Sequence, residues 1–475
     1  MQRKIVAFLL MFVCIVGLTA CRDKMATQGG DYTIKWLVPG DKQPDIASVL
    51  EKVNEVTVEK IGAKIDLQFI DTASYQERLR MNMASQNAFD MCQIGDHIYN
   101  ESVKRNGLYD ITQFVEEDSA LDSVVPEYAW EALKINKKIY AVPNVQIFAI
   151  CSALEFRTDL IEKYNFDITK VKNIQDLEPF LKLIKENEPD YIPMKTFGQL
   201  TRYPSEFTNY SAVRCVVDKN GKVTAMVNLK EFREASDMAR DWFNKGYFRA
   251  DSATVGSDSA DVLAGKYAVR VITSQPGIES EDEASLGIDL SVQPIGKPTV
   301  STRSITATMT GISATSINPE KTWEFIKLIN TDKDLYNLIC FGIEGKHYEV
   351  LDDGHIRLKT DSGYSPNACW KFGCQLNALL LEGQPDDIWE ETQRLNKESE
   401  RSSVFGFTPD IDAIRTEVAQ WTAVFGEYDL MTYTGAEDPN SYWSEFERRS
   451  KEAGVDKVEK EIQRQVDEFL AAKKK

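Results

Sequence analysis

The alternation of apolar and polar residues predicts strands and helices in turn over the amino-terminal part of the chain. Residues 32–38 and 64–70 alternate as strands do, and each is followed by apolar residues at helical spacing. A short apolar run over residues 89–94 ends just before Asp96. Strands that alternate with helices pair in parallel through right-handed crossovers, so this order predicts an open α/β sheet. Ligands of such sheets lie beyond the carboxyl ends of the strands, which here carry Trp36 and Asp96.

The same pattern begins again further along the chain and predicts a second lobe. A nearly continuous apolar run over residues 145–154 is typical of a central strand, and we place the first crossing between lobes there. Residues 157–272 repeat the alternation, residues 278–287 are acidic and predict a loop, and the remainder is mostly helical. We therefore predict lobe 1 from residues 31–146 with 294–335, and lobe 2 from residues 147–293 with 336–475, the latter including a helical C-terminal extension.

The first thirty residues have the pattern of an export signal and a tether. Arg3 and Lys4 precede an apolar run over residues 5–16, which is shorter than the roughly 20 residues that a membrane-spanning helix needs. Cys21 follows Leu-Thr-Ala, an arrangement that resembles the lipobox in which a bacterial lipoprotein carries its lipid. We predict a signal peptide over residues 1–20 and a lipid anchor with a flexible tether over 21–30. An ordinary secreted protein is the alternative.

Composition narrows the classes of partner. The 475 residues carry a formal net charge of -18, and so acidic a protein is repelled by nucleic acid and by anionic membrane surfaces. Six cysteines besides Cys14 and Cys21 are widely scattered, which favours buried free thiols over a disulfide framework, although their pairing is left open. With three histidines in the chain, no metal-ligand spacing emerges, and we predict neither a metal nor a cofactor.

Signatures of catalysis are missing from the sequence. It contains no Gly-x-Ser-x-Gly elbow, no His-Glu-x-x-His and no Gly-rich phosphate loop. A glycosidase, however, needs only two carboxylates about 5 to 10 Å apart, and 74 acidic residues offer many chance pairs. The sequence therefore predicts a protein that is not an enzyme, with an anchored extracellular glycoside hydrolase as the alternative.

Aromatic residues at predicted strand ends and in loops are candidates for ligand binding. Sugar rings pack their C–H faces on aromatic planes, while carboxylates and amides pair with the hydroxyl groups at the edge. Core or interlobe packing is the alternative for each ring. Asp96, at the mouth of the predicted sheet, must be solvated or paired, and capping of the next helix is its alternative role. The aromatic candidates are Trp36, Tyr99, Tyr203, Trp370 and Trp389.

Four segments resemble the family 1 extracellular solute-binding proteins of ABC importers, in the lipid-anchored subgroup with a characteristic C-terminal domain. Residues 263–269 (Leu-Ala-Gly-Lys-Tyr-Ala-Val) resemble the family's Gly-Lys-x-Ala strand, and residues 311–321 resemble its strand-to-helix return. Residues 341–348 and 453–465 are similar to the subgroup's own motifs. The chain departs from the subgroup pattern Trp-x-x-Gly-Asn at one position, because Cys374 stands where an asparagine is usual.

This resemblance implies a two-lobed periplasmic-binding-protein-like fold of type II, each lobe a mainly parallel sheet flanked by helices. It implies a receptor that captures an oligosaccharide in the cleft, closes by hinge rotation and delivers the solute to an ABC permease at the extracellular face of the bacterial membrane. A ligand sensor for a signalling kinase is an alternative. We expect a monomer tethered through Cys21. The predicted ligand-binding residues are Trp36, Asp96, Tyr99, Asn144 beside the hinge, Tyr203, Gln275 and Trp370.

Overall fold

The structure, a computed structural model, describes residues 32–196, 207–210, 212–255, 258–366 and 368–473. The predicted lipid anchor Cys21 and the predicted ligand residue Tyr203 lie outside these residues, and so does the side chain of Asp96.

Strands and helices alternate through most of the described chain. The strands are β1 (Tyr32–Pro39), β2 (Ala63–Ile70), β3 (Met91–Ile94), β4 (Ala141–Pro143), β5 (Ala149–Arg157), β6 (Ile192–Met194), β7 (Thr208–Tyr210), β8 (Cys215–Val217), β9 (Val223–Ala225), β10 (Tyr267–Ser274), β11 (Leu290–Val300), β12 (Met309–Ile312), β13 (Tyr348–Val350), β14 (Ile356–Leu358) and β15 (Glu400–Arg401). The helices are α1 (Ile46–Ile61), α2 (Thr72–Ala84), α3 (Asp96–Lys104), α4 (Thr112–Glu117), α5 (Glu127–Leu133), α6 (Thr158–Lys163), α7 (Glu178–Asn187), α8 (Lys230–Asn244), α9 (Ser259–Leu263), α10 (Ile278–Leu286), α11 (Thr302–Thr306), α12 (Pro319–Thr331), α13 (Lys333–Phe341), α14 (Ile388–Glu398), α15 (Arg415–Thr434), α16 (Pro439–Glu452) and α17 (Val455–Lys473). This order confirms the α/β class and the helical C-terminal part.

Local sequence signals fix several helix ends. The Asp71 side chain accepts a hydrogen bond from the backbone of Ser74 at the start of α2. Asn318 caps α12 in the same way, with Pro319 in the first turn, where its missing N–H costs nothing. Helix α1 ends at Gly62, whose φ of 61° is a left-handed conformation that favours glycine.

The first sheet, in the strand order β2-β1-β3-β12-β4, brings together the amino-terminal strands and a returning strand. Strand β1 is parallel to β2 and β3, as the alternating pattern predicted, whereas β12 runs antiparallel to β3 and β4. The second sheet has the order β15-β11-β5-β10-β6, and β5 is antiparallel to both of its neighbours. The sheets are therefore mixed, and the expectation of mainly parallel sheets was wrong. Strand β12, which returns to sheet 1 after the strands of sheet 2, runs antiparallel to its neighbours. An antiparallel pair needs no crossover helix between its strands.

The acidic segment that predicted a loop is helix α10. Glycines in left-handed conformations, Gly277 and Gly287, bound the helix at its two ends. Glu279 and Glu281 lie in its first turn, where negative charge is stabilised by the helix dipole. The sequence prediction was wrong here because it gave the acidic composition more weight than the two end signals.

Three clusters of buried side chains form the cores. The first lies around sheet 1, the second joins β8 and β9 to α15, α16 and α17, and the third packs beside sheet 2. Tyr336, Phe372 and Ala378 belong to the first cluster, although the sequence assigned residues 336–475 to lobe 2. We therefore propose that lobe 1 extends over this segment, with only the later C-terminal helices packing on the other lobe.

The six cysteines of the described chain are free thiols, five of them buried and Cys369 partly buried. None of the helices in the described ranges combines the length and the apolarity that a membrane span requires.

Candidate functional site

The carboxyl ends of β1 and β2 form one edge of sheet 1, and a short segment from the distant part of the chain lies against it. This segment is a single 3-10 turn, Cys369–Lys371. The Lys371 Nζ donates a hydrogen bond to the main-chain oxygen of Pro39, the last residue of β1, at 3.0 Å. Phe372 packs edge-on against Phe69 near the end of β2, with 6.4 Å between the ring centroids. The turn is therefore fixed at the edge where ligands of α/β sheets bind.

Trp370 presents an aromatic face to solvent at this edge. The residue is 37% exposed and is the one aromatic among the exposed large hydrophobic residues of the described chain. The Lys371 Nζ lies 5.1 Å from the centre of the Trp370 ring, a distance at which a cation–π attraction steadies the ring. Partial burial lowers the pKa of the Lys371 ammonium. An exposed ring beside a cation can pack on the C–H face of a sugar and pair with its hydroxyl oxygens.

Asn144 holds the Trp370 turn in place. Its Nδ2 donates to the main-chain oxygens of Trp370, at 3.2 Å, and of Lys371, at 2.8 Å. Its Oδ1 accepts a hydrogen bond from Thr310 Oγ1 at 3.0 Å, and the residue is only 1% exposed. Asn144 was predicted to contact the ligand beside the hinge, but in the structure it is a buried support that positions the residues with exposed side chains.

The loop between β1 and α1 is braced by residues of the β13–β14 region. The Asp45 carboxylate pairs with Lys346 at 2.7 Å and lies 3.3 Å from the buried His347 ring. Hydrogen bonds from Lys346 and His347 lower the pKa of Asp45. The Gln43 side chain accepts a hydrogen bond from the backbone N–H of Ser365 at 2.7 Å. The loop is therefore held at both of these positions.

A groove of ≈ 470 Å³ lies beside this loop at the carboxyl end of β2. Its apolar lining includes Phe69, which also contacts Phe372 of the segment that follows Trp370. Polar side chains from the loop, from β2 and from α2 line it as well: Lys42, Gln43, Gln68, Arg78 and Asn82. We call this feature the β2 groove.

Two of the predicted ligand residues lie in the core instead. Trp36 is fully buried, and its ring packs edge-on against Phe325 and Phe372 at 5.7 and 5.6 Å. Tyr99 is 3% exposed, and its hydroxyl donates to the main-chain oxygen of Leu133 at 3.0 Å. Burial raises the pKa of this hydroxyl. Both predictions are corrected, because Phe325 of α12 and Phe372 cover the face of β1 that carries Trp36, and the Tyr99 ring of α3 packs into the core.

The remaining candidates are placed less closely together. Helix α3 begins at Asp96, which follows the end of β3 as predicted. Gln275 directly follows β10 in sheet 2, is partly buried, and donates to the Glu281 carboxylate at 3.3 Å. Trp389 is partly buried, and its indole N–H donates to the main-chain oxygen of Ala378 at 2.9 Å. The structure thus joins Asn144 to Trp370 by direct contact and leaves Gln275 on the other sheet.

A second group of ionisable side chains lies on sheet 2 and is closed to a sugar. Arg270 Nε donates to the Glu155 carboxylate at 2.6 Å, and its guanidinium also pairs with Asp282 of α10 at 3.0 Å. Burial raises the pKa of Glu155 to about 7, and a hydrogen bond with Asp282 adds to the shift. The cavity beside Glu155 measures ≈ 10 Å³, which is room for about one water molecule. This pair of carboxyl groups is therefore a structural network.

No group of three His, Cys, Asp or Glu side chains within the described ranges is arranged to hold a metal ion.

Residues 40–334 match the family described as bacterial extracellular solute-binding protein, which is more than half of the chain. The chain belongs to this family. A second match, to a domain of unknown function, covers residues 403–471 and contains the three C-terminal helices.

Solute-binding proteins of Streptococcus pneumoniae are similar to this chain over nearly its whole length. A protein described as a carbohydrate ABC transporter substrate-binding protein is 29% identical and covers 96% of both chains. The crystal structure of the N-glycan transport solute binding protein NgtS is 26% identical, has a TM-score of 0.84 and covers 93% of this chain and 100% of its own. The NgtS complex with Man1GlcNAc is 27% identical, with a TM-score of 0.76 over 92% of this chain and 99% of its own.

Sequence reasoning missed one residue at the edge of this solute-binding protein. Lys371 stands next to a predicted residue, but its contact with Pro39 joins positions more than 300 residues apart along the chain. The signal that was present is the Trp-Lys-Phe-Gly order itself, which sets a cation beside the exposed ring.

Proposed function

We propose that this protein captures an oligosaccharide between its two lobes and presents it to an ABC permease. The observation that carries the proposal is the exposed Trp370 ring, which is held at the carboxyl edge of sheet 1 by Asn144 and lies beside the Lys371 ammonium. An aromatic plane with polar groups beside it matches the alternation of C–H faces and hydroxyl groups on a sugar.

The relatives support the class of solute. One is described as a carbohydrate-binding component of an ABC transporter, and structures of NgtS contain Man1GlcNAc and Man5GlcNAc. The present structure is more similar to the NgtS structure for which no glycan is named than to either complex. Closure of two lobes around a glycan would produce this difference, because a rotation about the hinge lowers the overall superposition.

We further propose that the protein is a monomer held at the extracellular face of the cell membrane by a lipid on Cys21. The order of the amino-terminal residues supports this anchor, and a tether of nine residues reaches at most about 30 Å, which keeps the lobes close to a permease.

Titration calorimetry of the chain from Arg22 onward against a panel of neutral and acidic oligosaccharides, peptides and polyamines tests the proposal. We expect heat of binding from one or more oligosaccharides and no release of reducing sugar during the titration. Binding of peptides or polyamines alone would overturn the assignment, and release of reducing sugar would favour a hydrolase. In cells that depend on the bound sugar, Cys21→Ser should bind it normally yet support uptake poorly, and normal uptake would contradict the anchor.

A further inference from the structure

The β2 groove carries positive charge in a strongly acidic protein. Lys42, in the loop before α1, and Arg78, on α2, line it from two sides, and both are exposed. Among the described residues, neither cation forms an ion pair, whereas Arg80 on the same helix pairs with Glu101 at 3.0 Å. No carboxylate lines the groove, although the chain has a formal net charge of -18. Two exposed cations that no lining carboxylate neutralises attract an anion.

The rest of the lining restricts the kind of anion. Phe69, Ile70 and Met81 supply apolar surface, and Met81 is 60% exposed. Gln43 uses its amide within the protein, since it accepts from Ser365 and donates to the main-chain oxygen of Asp41. Among the described residues, the hydrogen bonds of Gln68 and Asn82 leave Gln68 Oε1 and Asn82 Nδ2 available to hydroxyl groups. A bare inorganic anion would use the cations and leave the apolar surface uncovered, and a fatty anion would leave these two amide atoms unpaired. A sugar that bears a carboxylate can use all three kinds of group.

The groove lies next to the Trp370 turn. Phe69 lines the groove and contacts Phe372, two residues beyond Trp370. A glycan with one unit on the Trp370 ring can therefore place a neighbouring unit in the groove.

We propose that the β2 groove binds a sugar residue that bears a carboxylate, such as a uronic or sialic acid, within a longer oligosaccharide. This inference rests on the proposed function and narrows its solute to an acidic oligosaccharide. Lys42 and Arg78 bind the carboxylate, and the amides of Gln68 and Asn82 pair with the hydroxyl groups.

The test compares matched neutral and acidic glycans on an immobilised array and by calorimetry, with lactose against 3′-sialyllactose and cellobiose against cellobiouronic acid as probes. For the native protein we expect the acidic member of at least one pair to bind roughly tenfold or more tightly, as charge-assisted hydrogen bonds to a carboxylate would give. The preference should weaken in 1 M salt, because exposed charges are then screened within about 3 Å.

The double variant Lys42→Gln with Arg78→Gln should lose this preference, so that it binds the acidic and the neutral member of a pair with similar affinity. Arg80→Gln, which removes a cation of the same helix outside the groove, is the matched control and should keep the preference. Equal binding of neutral and acidic members by the native protein, or a preference that survives the double variant, would overturn the inference and leave the proposed function standing. Failure of every oligosaccharide on the array to bind would overturn the proposed function and this inference with it.

Discussion

Charged side chains are used in opposite ways on the two sheets. On sheet 2, the partly buried Arg270 pairs with Glu155 and Asp282, and the adjoining cavity has room for about one water molecule. On sheet 1, the cations of the β2 groove are exposed and unpaired beside a much larger space. The first arrangement satisfies its charges within the protein, while the second leaves them for a ligand. A raised pKa alone would have directed attention to Glu155, although shape and pairing favour the other region.

The largest effect expected from this contrast is on stability at sheet 2. Arg270→Met leaves two carboxyl groups without their cation, and Glu155 is only 2% exposed. Loss of one partner from a buried ion pair should lower the free energy of unfolding by about 3–5 kcal/mol, measured by urea denaturation. Arg394→Met, which removes an exposed arginine paired with Glu391 and Glu398, is the control and should change it by about 0.5 kcal/mol or less. Similar losses in both variants would contradict the structural role of Arg270.

A smaller change in the free energy of unfolding is expected when the pH is varied, because Glu155 belongs to the same network. The pKa of Glu155 is raised from 4.5 to about 7, so the folded protein holds this proton more tightly than the unfolded chain does. The resulting stability is fully present below about pH 4.5 and is lost as the pH rises through about 7. Since each pKa unit corresponds to about 1.4 kcal/mol, the loss should amount to at most about 3.5 kcal/mol.

Glu155→Gln isolates this contribution, because glutamine keeps the shape and donates a hydrogen bond to Asp282 at every pH. The free energy of unfolding of both proteins is measured by urea denaturation at pH 5, 6, 7 and 8. As the pH rises, the native protein should lose stability relative to the variant. A difference in the free energy of unfolding that stays constant from pH 5 to pH 8 would show that Glu155 does not titrate in this range.

The smallest expected change is in the free energy of glycan binding at sheet 1. The substitution that causes it should leave the fold intact. Trp370→Ala should weaken binding of the glycan found by calorimetry by roughly thirtyfold, or about 2 kcal/mol, as buried tryptophans at binding sites often do. Trp370→Phe should recover part of the affinity. Leu358→Ala is the control, since Leu358 is also 37% exposed but lies on β14. Equal affinity with a lower melting temperature would make Trp370 a structural residue.

The extent to which the sequence predicts this molecule depends on the range of the interaction. Capping by Asp71 and Asn318 and the end of α1 at Gly62 involve neighbours in the chain, so their signals can be recognised in the sequence alone. Trp36 and Trp370 are the same residue type near the same edge, yet one is core and the other exposed. Their difference depends on which strands flank β1 and on a segment more than 300 residues away, and neither is encoded in local periodicity.

The same limit applies to the candidate site, where residue types were predicted but long-range contacts were not. Trp370 and Asn144 were identified from residue type and position, but their relation to each other, through two hydrogen bonds to main-chain oxygens, requires the folded chain. The β2 groove could not be predicted, because it combines residues of β2, α2 and a loop whose conformation depends on Lys346, His347 and Ser365.

The hydrogen bonds of Asn144 separate the location of residue 370 from its identity. The two that Asn144 donates to the turn end on backbone oxygens, so they can form whatever side chain residue 370 carries. For protein engineering, this means that the side chain at position 370 can be exchanged while the backbone of the turn stays in place. A library of Trp, Tyr, Phe, His and Arg at this one position would alter the choice of sugar while sharing a single scaffold and a single stability.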